Sequence, residues 1–216
     1  MRHSLYKYFP NREWAEEFLD GGLFFNSLGY FCDYEDEEVR GDKYEGTSVY
    51  RPTEGLVVNN HTKKITVTLQ GWAMESTVNL EDVFVLCASR SLTNELRERF
   101  EAVVCVEITK IPTLCARIQT AMPGAKINAG KVIYYDPSAP PAERWALPDL
   151  IARSKVEGYR WQDEYRFFFS PTDALAFEKV NLRLTSAEPQ GPRSAEHKHQ
   201  TIRTTSLRDI CRLHEF

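Results

Sequence analysis

The sequence lacks any uninterrupted apolar run near the roughly 20 residues that a membrane-crossing helix needs. Its start, Met1-Arg2-His3-Ser4, leads into a charged, aromatic segment instead of a secretory h-region. Both absences point to a cytoplasmic chain with no membrane partner. There is no C-x-x-C pair, and the five cysteines (Cys32, Cys87, Cys105, Cys115, Cys211) are odd in number and scattered. That excludes zinc knuckles and redox couples built from neighbouring thiols, and leaves reduced, mostly buried thiols as the expectation. Positive charge is not in excess either, since the formal net charge is -4, so no global basic surface gathers phosphate backbones. A Gly-rich phosphate loop, a Gly-x-Ser-x-Gly elbow and a His-Glu-x-x-His helix are all missing. Ser89 and Cys87 end an apolar run, but no histidine is placed by sequence to activate them.

What is present is enough hydrophobic content, 42% of 216 residues, to close one sizeable core. The expectation is a single α+β domain over residues 1–216 with no internal repeat. Ser4 to Phe9 is a short aromatic strand, and Pro10-Asn11 caps a helix over 11–20 in which Trp14, Ala15, Phe18 and Leu19 share one face. Gly21-Gly22 stops it, and Leu23-Phe24-Phe25 forms a second strand. Residues 33–46 concentrate acids around Arg40-Gly41-Asp42 and read as a surface excursion with turns. Segments 55–58 and 64–69 flank Asn59-Asn60-His61 as a hairpin, and the wholly apolar 83–88 is a central strand.

Helices are expected over 93–100, 111–121 and 150–155, with Pro112 acceptable in a first turn. Strands are expected over 102–108, 131–135, 164–169 and 180–185. The polar stretch 186–198, with Pro189, Gly191 and Pro192, reads as a mobile connection. An edge strand at 200–203 and a last helical turn at 206–211 close the chain. His197-x-His199 has metal-like spacing without a third ligand nearby, so it reads as a flexible polar tail, and no metal site is expected.

The segment richest in chemistry is Trp161-Gln162-Asp163-Glu164-Tyr165-Arg166-Phe167. Strand alternation puts Gln162, Glu164 and Arg166 on one face and Asp163, Tyr165 and Phe167 on the other. Two readings follow from these residues alone. In one, Glu164 and Arg166 are a surface ion pair beside an aromatic core. In the other, Glu164 and Gln162 point together into a cleft.

The order of three segments favours the cleft. Tyr6-Lys7-Tyr8 lies on the first strand, Phe24-Phe25-Asn26-Ser27-Leu28-Gly29-Tyr30 follows one helix later, and Trp161 to Arg166 comes late. This order resembles the ADP-ribosyltransferase superfamily. More closely, it resembles an uncharacterised bacterial family that opens with Leu-Tyr-Lys-Tyr and ends with a Trp-x-x-Glu-Tyr-Arg strand. The resemblance implies a split, mainly antiparallel β-sheet core flanked by short helices, with NAD as a substrate.

Carried over by position, the resemblance makes Glu164 the catalytic carboxylate and Gln162 a contact to the acceptor. It assigns Tyr6, Lys7, Tyr8, Phe25, Ser27 and Tyr30 to the NAD pocket. The implied activity is mono-ADP-ribosylation of a macromolecule, either a protein side chain or a nucleobase of DNA or RNA. Bacterial members are often toxins or antiviral (phage) defence effectors, which implies a neutralising antitoxin protein as a further partner. The resemblance covers about the first fifty residues and 155–170. Here the first strand carries Lys7 where one branch has arginine, and the second lacks a Ser-Thr-Ser triplet. Two alternatives stay open: a non-catalytic binding module of the same fold, and a metal-dependent nucleic-acid-processing enzyme using Glu164, Asp163 and the acidic loop.

Overall fold

Asn11 decides where the first helix begins. Its backbone is extended and its side-chain oxygen accepts the Trp14 N–H at 2.9 Å, satisfying one of the donors that a helix start leaves open. The computed structural model describes residues 4–32, 42–141, 146–186 and 197–216. In chain order, β1 (Leu5–Phe9), α1 (Arg12–Leu19), β2 (Gly22–Ser27) and α2 (Leu28–Cys32) come first. After them run β3 (Thr47–Tyr50), β4 (Leu56–Asn60), β5 (Ile65–Leu69), β6 (Ala73–Thr77) and β7 (Phe84–Ser89). The middle holds α3 (Asn94–Arg99), β8 (Val104–Ile108), α4 (Ile111–Ala121), β9 (Asn128–Lys131) and β10 (Ile133–Tyr135). The last third holds α5 (Pro148–Ile151), β11 (Ser154–Val156), β12 (Glu164–Phe169), β13 (Asn181–Thr185), β14 (His199–Arg203) and β15 (Cys211–Glu215). The architecture is α+β, with mostly antiparallel sheets and few, short helices.

The main sheet has eight strands in the order β14-β2-β7-β1-β8-β15, with β12 beside β7 and β9 beyond β12. Strand β7 is its hub. Along one edge β12 pairs with it in full, from Glu164 opposite Ser89 to Phe169 opposite Phe84. The other edge is shared: β2 takes Phe84 and Val85 through Ser27 and Asn26, and β1 meets it at Tyr6 opposite Ser89. Leu86, Cys87 and Ala88 lie between those two attachments, where the sheet opens.

Alternation sorts β12 between two cores. Phe167 and Phe169 join Leu5, Phe18, Leu23, Phe25, Leu114 and Ile118 on the side covered by α1 and α4. Phe168 joins Leu28, Val83, Val85 and Ile151 on the other side. The hairpin β4–β5 forms as expected, with Leu56 opposite Leu69 and Asn60 opposite Ile65. The edge strand at 200–203 is β14, which pairs with β2.

Several expectations fail for identifiable reasons. Residues 131–135 do not form one strand: β9 pairs with β12, then the chain crosses at Val132 so that β10 pairs in parallel with β11. The helix expected over 150–155 stops at Ile151, because the Ser154 hydroxyl turns back to the Leu150 carbonyl at 2.6 Å, a bond that competes with helix propagation. Residues 154–156 then become strand β11. The expected final helical turn is absent, since Leu207 N–H bonds Leu19 C=O at 2.7 Å and Cys211–Glu215 adds strand β15 to β8. His199 opens strand β14 and stacks on Phe24 at 4.9 Å, so it is no polar tail. Only Cys105 is fully buried among the free cysteines; the other four are half-buried.

The largest revision concerns residues 42–46. They do not run over the surface: Asp42 is 1% exposed and Glu45 0%. Gly46 makes this inward turn possible, with φ +62° and no room for a side chain, since a Cβ there would stand 2.3 Å from Leu80 Cδ2. Arg40, the rest of 33–41, the N-terminal Arg2 and His3, and most of the connection expected at 186–198 lie outside the described residues.

Candidate active site

Where the sheet opens there is a cleft of about 630 Å³, within the size range of small-ligand sites. Both sheet faces and the opening contribute to it: Leu86 and Ala88 from one face, Cys87 and Ser89 from the other. Its walls are aromatic, with Tyr6 and Tyr8 from β1, Phe24 from β2, and Tyr30 and Phe31 from α2. Its polar floor is Gln162, Glu164, Arg166 and Lys155.

The site residues expected from sequence divide clearly. Tyr6, Lys7, Tyr8, Tyr30, Gln162 and Glu164 all line the cleft. Phe25 and Ser27 do not. Phe25 is 0% exposed, edge-on to Phe169 in the core, because alternation along β2 turns its neighbour Phe24 to the cleft instead. Ser27 is also 0% exposed and its Oγ accepts the Tyr30 N–H at 3.3 Å, which caps α2. Gln162 reaches the cleft from a 3-10 turn (Glu157–Gln162) rather than from the strand.

A tight clamp aims the floor. Asp163 sits between Gln162 and Glu164 in the left-handed region, with φ 42° and ψ 50°, unusual for a residue with a side chain. Ser89 Oγ donates to the Gln162 carbonyl at 2.8 Å, Arg90 N–H to the Asp163 carbonyl at 2.8 Å, and Ser91 Oγ to the Asp163 carboxylate at 2.5 Å. The Glu164 N–H donates to the Tyr134 hydroxyl at 2.8 Å. The end of β7 thus holds the start of β12, and the strained turn breaks the alternation that the sequence pattern assumed.

Glu164 and Arg166 are paired, but not on the surface. Glu164 is 5% exposed and Arg166 1%. Arg166 Nε donates to Glu164 Oε1 at 2.6 Å, and Lys155 Nζ stands 3.2 Å from Glu164 Oε2. Lys155 also donates to the Gln162 side-chain oxygen at 2.8 Å. Glu45 receives both terminal nitrogens of Arg166, with Nη2 at 2.8 Å from Oε2 and Nη1 on Oε1. Nη1 further donates to the Ala152 carbonyl at 2.8 Å.

Burial by itself would raise the Glu164 carboxyl, but the Arg166 and Lys155 cations overcome it and hold the carboxyl far below its usual range. The Asp42 carboxyl moves the other way, from 3.8 to about 6, through burial and then the charge of Glu45. Burial pushes the Cys87 thiol up to about 12, with the Glu164 charge adding to it. Glu164 is therefore an ionised carboxylate at neutral pH, and Cys87 stays a neutral thiol, a poor nucleophile. Burial likewise pushes Tyr8 to about 12; its hydroxyl donates to Ser91 C=O at 3.0 Å and accepts the Thr93 N–H at 3.1 Å. Tyr8 offers the cleft a ring face and no free hydroxyl.

Lys155 and Glu45 were not anticipated. Lys155 is one strand residue in Ser154-Lys155-Val156, and Glu45 is one acid in an acid-rich stretch; neither carries a local signal. Asp163 turns its carboxylate toward Ser91 and Arg90, and no cluster of three or more metal-ligating side chains occurs among the described residues. No helix among them is long and apolar enough to cross a membrane. Compared with protein-family models, curated proteins and solved structures, the chain matches none.

Proposed function

We propose that this protein is a cytoplasmic mono-ADP-ribosyltransferase whose fold is ADP-ribosyltransferase-like, binding NAD in the cleft and transferring ADP-ribose to a macromolecule. One observation carries the reading: an ionised carboxylate, Glu164, stands on the floor of an aromatic-walled cleft at the opening of the sheet. In the reaction the bond between nicotinamide and ribose breaks, and its electron pair leaves with the nicotinamide ring. The ribosyl centre becomes oxocarbenium-like, and a nearby carboxylate stabilises that charge and holds a ribose hydroxyl. A nucleophile of the acceptor then forms the new bond and loses its proton.

The rings of Tyr6, Tyr8, Phe24, Tyr30 and Phe31 suit a flat, cationic nicotinamide. Lys7, also in the lining, suits the pyrophosphate. The acceptor is a protein side chain or a nucleobase, Gln162 is its contact, and a toxin or phage-defence role with a neutralising partner goes with this activity.

A second reading has an observation of its own. Both oxygens of Glu164 are occupied by Arg166 and Lys155, which suits a non-catalytic module that binds a ligand without cleaving it. Incubation of the pure protein with labelled NAD and lysate, followed by protease or nuclease, separates the two. The transferase releases nicotinamide and labels one of the fractions, and Glu164→Gln abolishes both while keeping the NAD-induced rise in melting temperature. An NAD-induced rise without nicotinamide release supports the module. No rise and no release refutes the transferase.

A further inference from the structure

Glu45 does not line the cleft, yet it is 0% exposed and grips the group that grips Glu164. Arg166 is a planar fork with two edges in use. Its terminal nitrogens face Glu45, Nη2 at 2.8 Å, and its Nε faces Glu164 at 2.6 Å. A guanidinium cannot turn toward one carboxylate without leaving the other. Lys155 closes the ring of charges, 3.2 Å from Glu164 and 3.9 Å from Glu45.

We propose that Glu45 is a positioning residue: acting through Arg166, it fixes the orientation of the Glu164 carboxylate and thereby governs turnover of the bound dinucleotide, while leaving its binding unchanged. This rests on the assignment of Glu164 above. The geometry also gives the turn at 45–46 a part in the chemistry, because Gly46 turns Glu45 inward and the Glu45 carbonyl accepts from Cys32 Sγ at 3.4 Å. A substitution at Glu45 is tolerable on charge grounds. Asp42, Glu45 and Glu164 stand against Lys155 and Arg166, and Asp42 Oδ2 has no hydrogen-bond partner among the described residues. Neutralising Glu45 leaves two acids against two bases.

The test compares the full chain with Glu45→Gln and Glu45→Asp, using nicotinamide release, the NAD-induced melting shift and crystal structures. Glu45→Gln keeps the NAD-induced shift and a KM within about threefold, while kcat falls about 10- to 100-fold, the range seen when a partner that orients a functional ligand is lost. Glu45→Asp keeps the charge but draws the fork back by one methylene, so it folds even where the Glu45→Gln chain does not, and it lowers kcat by a smaller factor at unchanged KM. A folded variant with wild-type kcat, or one whose KM rises while kcat holds, overturns the proposal. If the wild-type protein releases no nicotinamide, the transferase reading has failed, and the structures decide this one separately. A Glu164 carboxylate that keeps its place in the Glu45→Gln structure overturns it; a displaced or doubled one supports it.

Discussion

Replacing Arg166 by methionine removes the cation that both Glu45 and Glu164 face. Arg166 is 1% exposed and neutralises two carboxylates, Glu45 at 0% and Glu164 at 5%. Methionine fills much of its volume but leaves both acids, together with Asp42, facing Lys155 alone, and the Ala152 carbonyl loses its donor. Removing one partner of a buried ion pair costs about 3–5 kcal/mol, because the remaining charge stays desolvated. That is a large share of the roughly 5–15 kcal/mol by which a folded domain is stable. With a urea dependence of about 2–3 kcal/mol/M, the unfolding midpoint falls by about 1.5 M. The matched control is Arg166→Met with Glu45→Leu, which removes one acid and one base together and recovers most of the loss, since buried pairs replaced by apolar groups are often near neutral. Urea unfolding followed by tryptophan fluorescence reads both. A loss below about 1 kcal/mol for the single variant, as for an exposed pair, would refute the view that these charges are buried and interdependent.

Asp42→Asn tests the charge balance through pH. The carboxyl is held at about 6 against 3.8 by burial and Glu45, so folding favours its protonated form. Its contribution is fully present below 3.8 and is lost as pH rises through about 6, a difference of about 3 kcal/mol. Asparagine mimics the protonated group, so the variant melts with the native protein at pH 3.5 and progressively above it between pH 4 and 7; a gain independent of pH contradicts the assignment. Asp163→Ala loses the Ser91 and Arg90 contacts and keeps a side chain at φ 42°, costing about 2 kcal/mol in urea unfolding, whereas Asp163→Gly costs about 1 kcal/mol less. Equal losses would show that the turn stores no strain. Gly46→Ala places a Cβ against Leu80 and Leu28 at φ +62° and lowers stability by about 2 kcal/mol; a native melting temperature would show that residues 45–46 are free to rearrange.

The strands were legible where one period decided them. Leu5 to Phe9, Phe84 to Ser89 and Glu164 to Phe169 carry apolar or aromatic runs that fit only a half-buried or central strand. The helix over 12–19 was legible because Asn11 and Gly21 mark its ends. Strands β3 and β6 were not legible: Thr47–Tyr50 is short, and β6 buries Glu75 at 0% exposure, which a polarity pattern assigns to solvent. Glu75 is tolerated there because Arg183 on the neighbouring strand donates to it at 2.7 Å.

The site follows the same logic with a sharper consequence. Glu164 could be read from strand alternation, and Tyr6 and Tyr8 from the order of segments that the family resemblance rests on; all three line the cleft, and so does Gln162, although from a turn and not from the strand. Glu45 could not, because a buried charge is allowed only by its partner, and that partner, Arg166, lies 121 residues away. Sequence spacing reports on neighbours along one strand, so it found Glu164 with Arg166 and judged the pair by its two members alone. Two charges on one face read as a solvated pair; alternating acids and bases, with hydrogen-bonded amide and carbonyl groups around them, can leave water. The difference between a surface ion pair and a held carboxylate was therefore decided by Glu45 and Lys155, the two residues with no local signal.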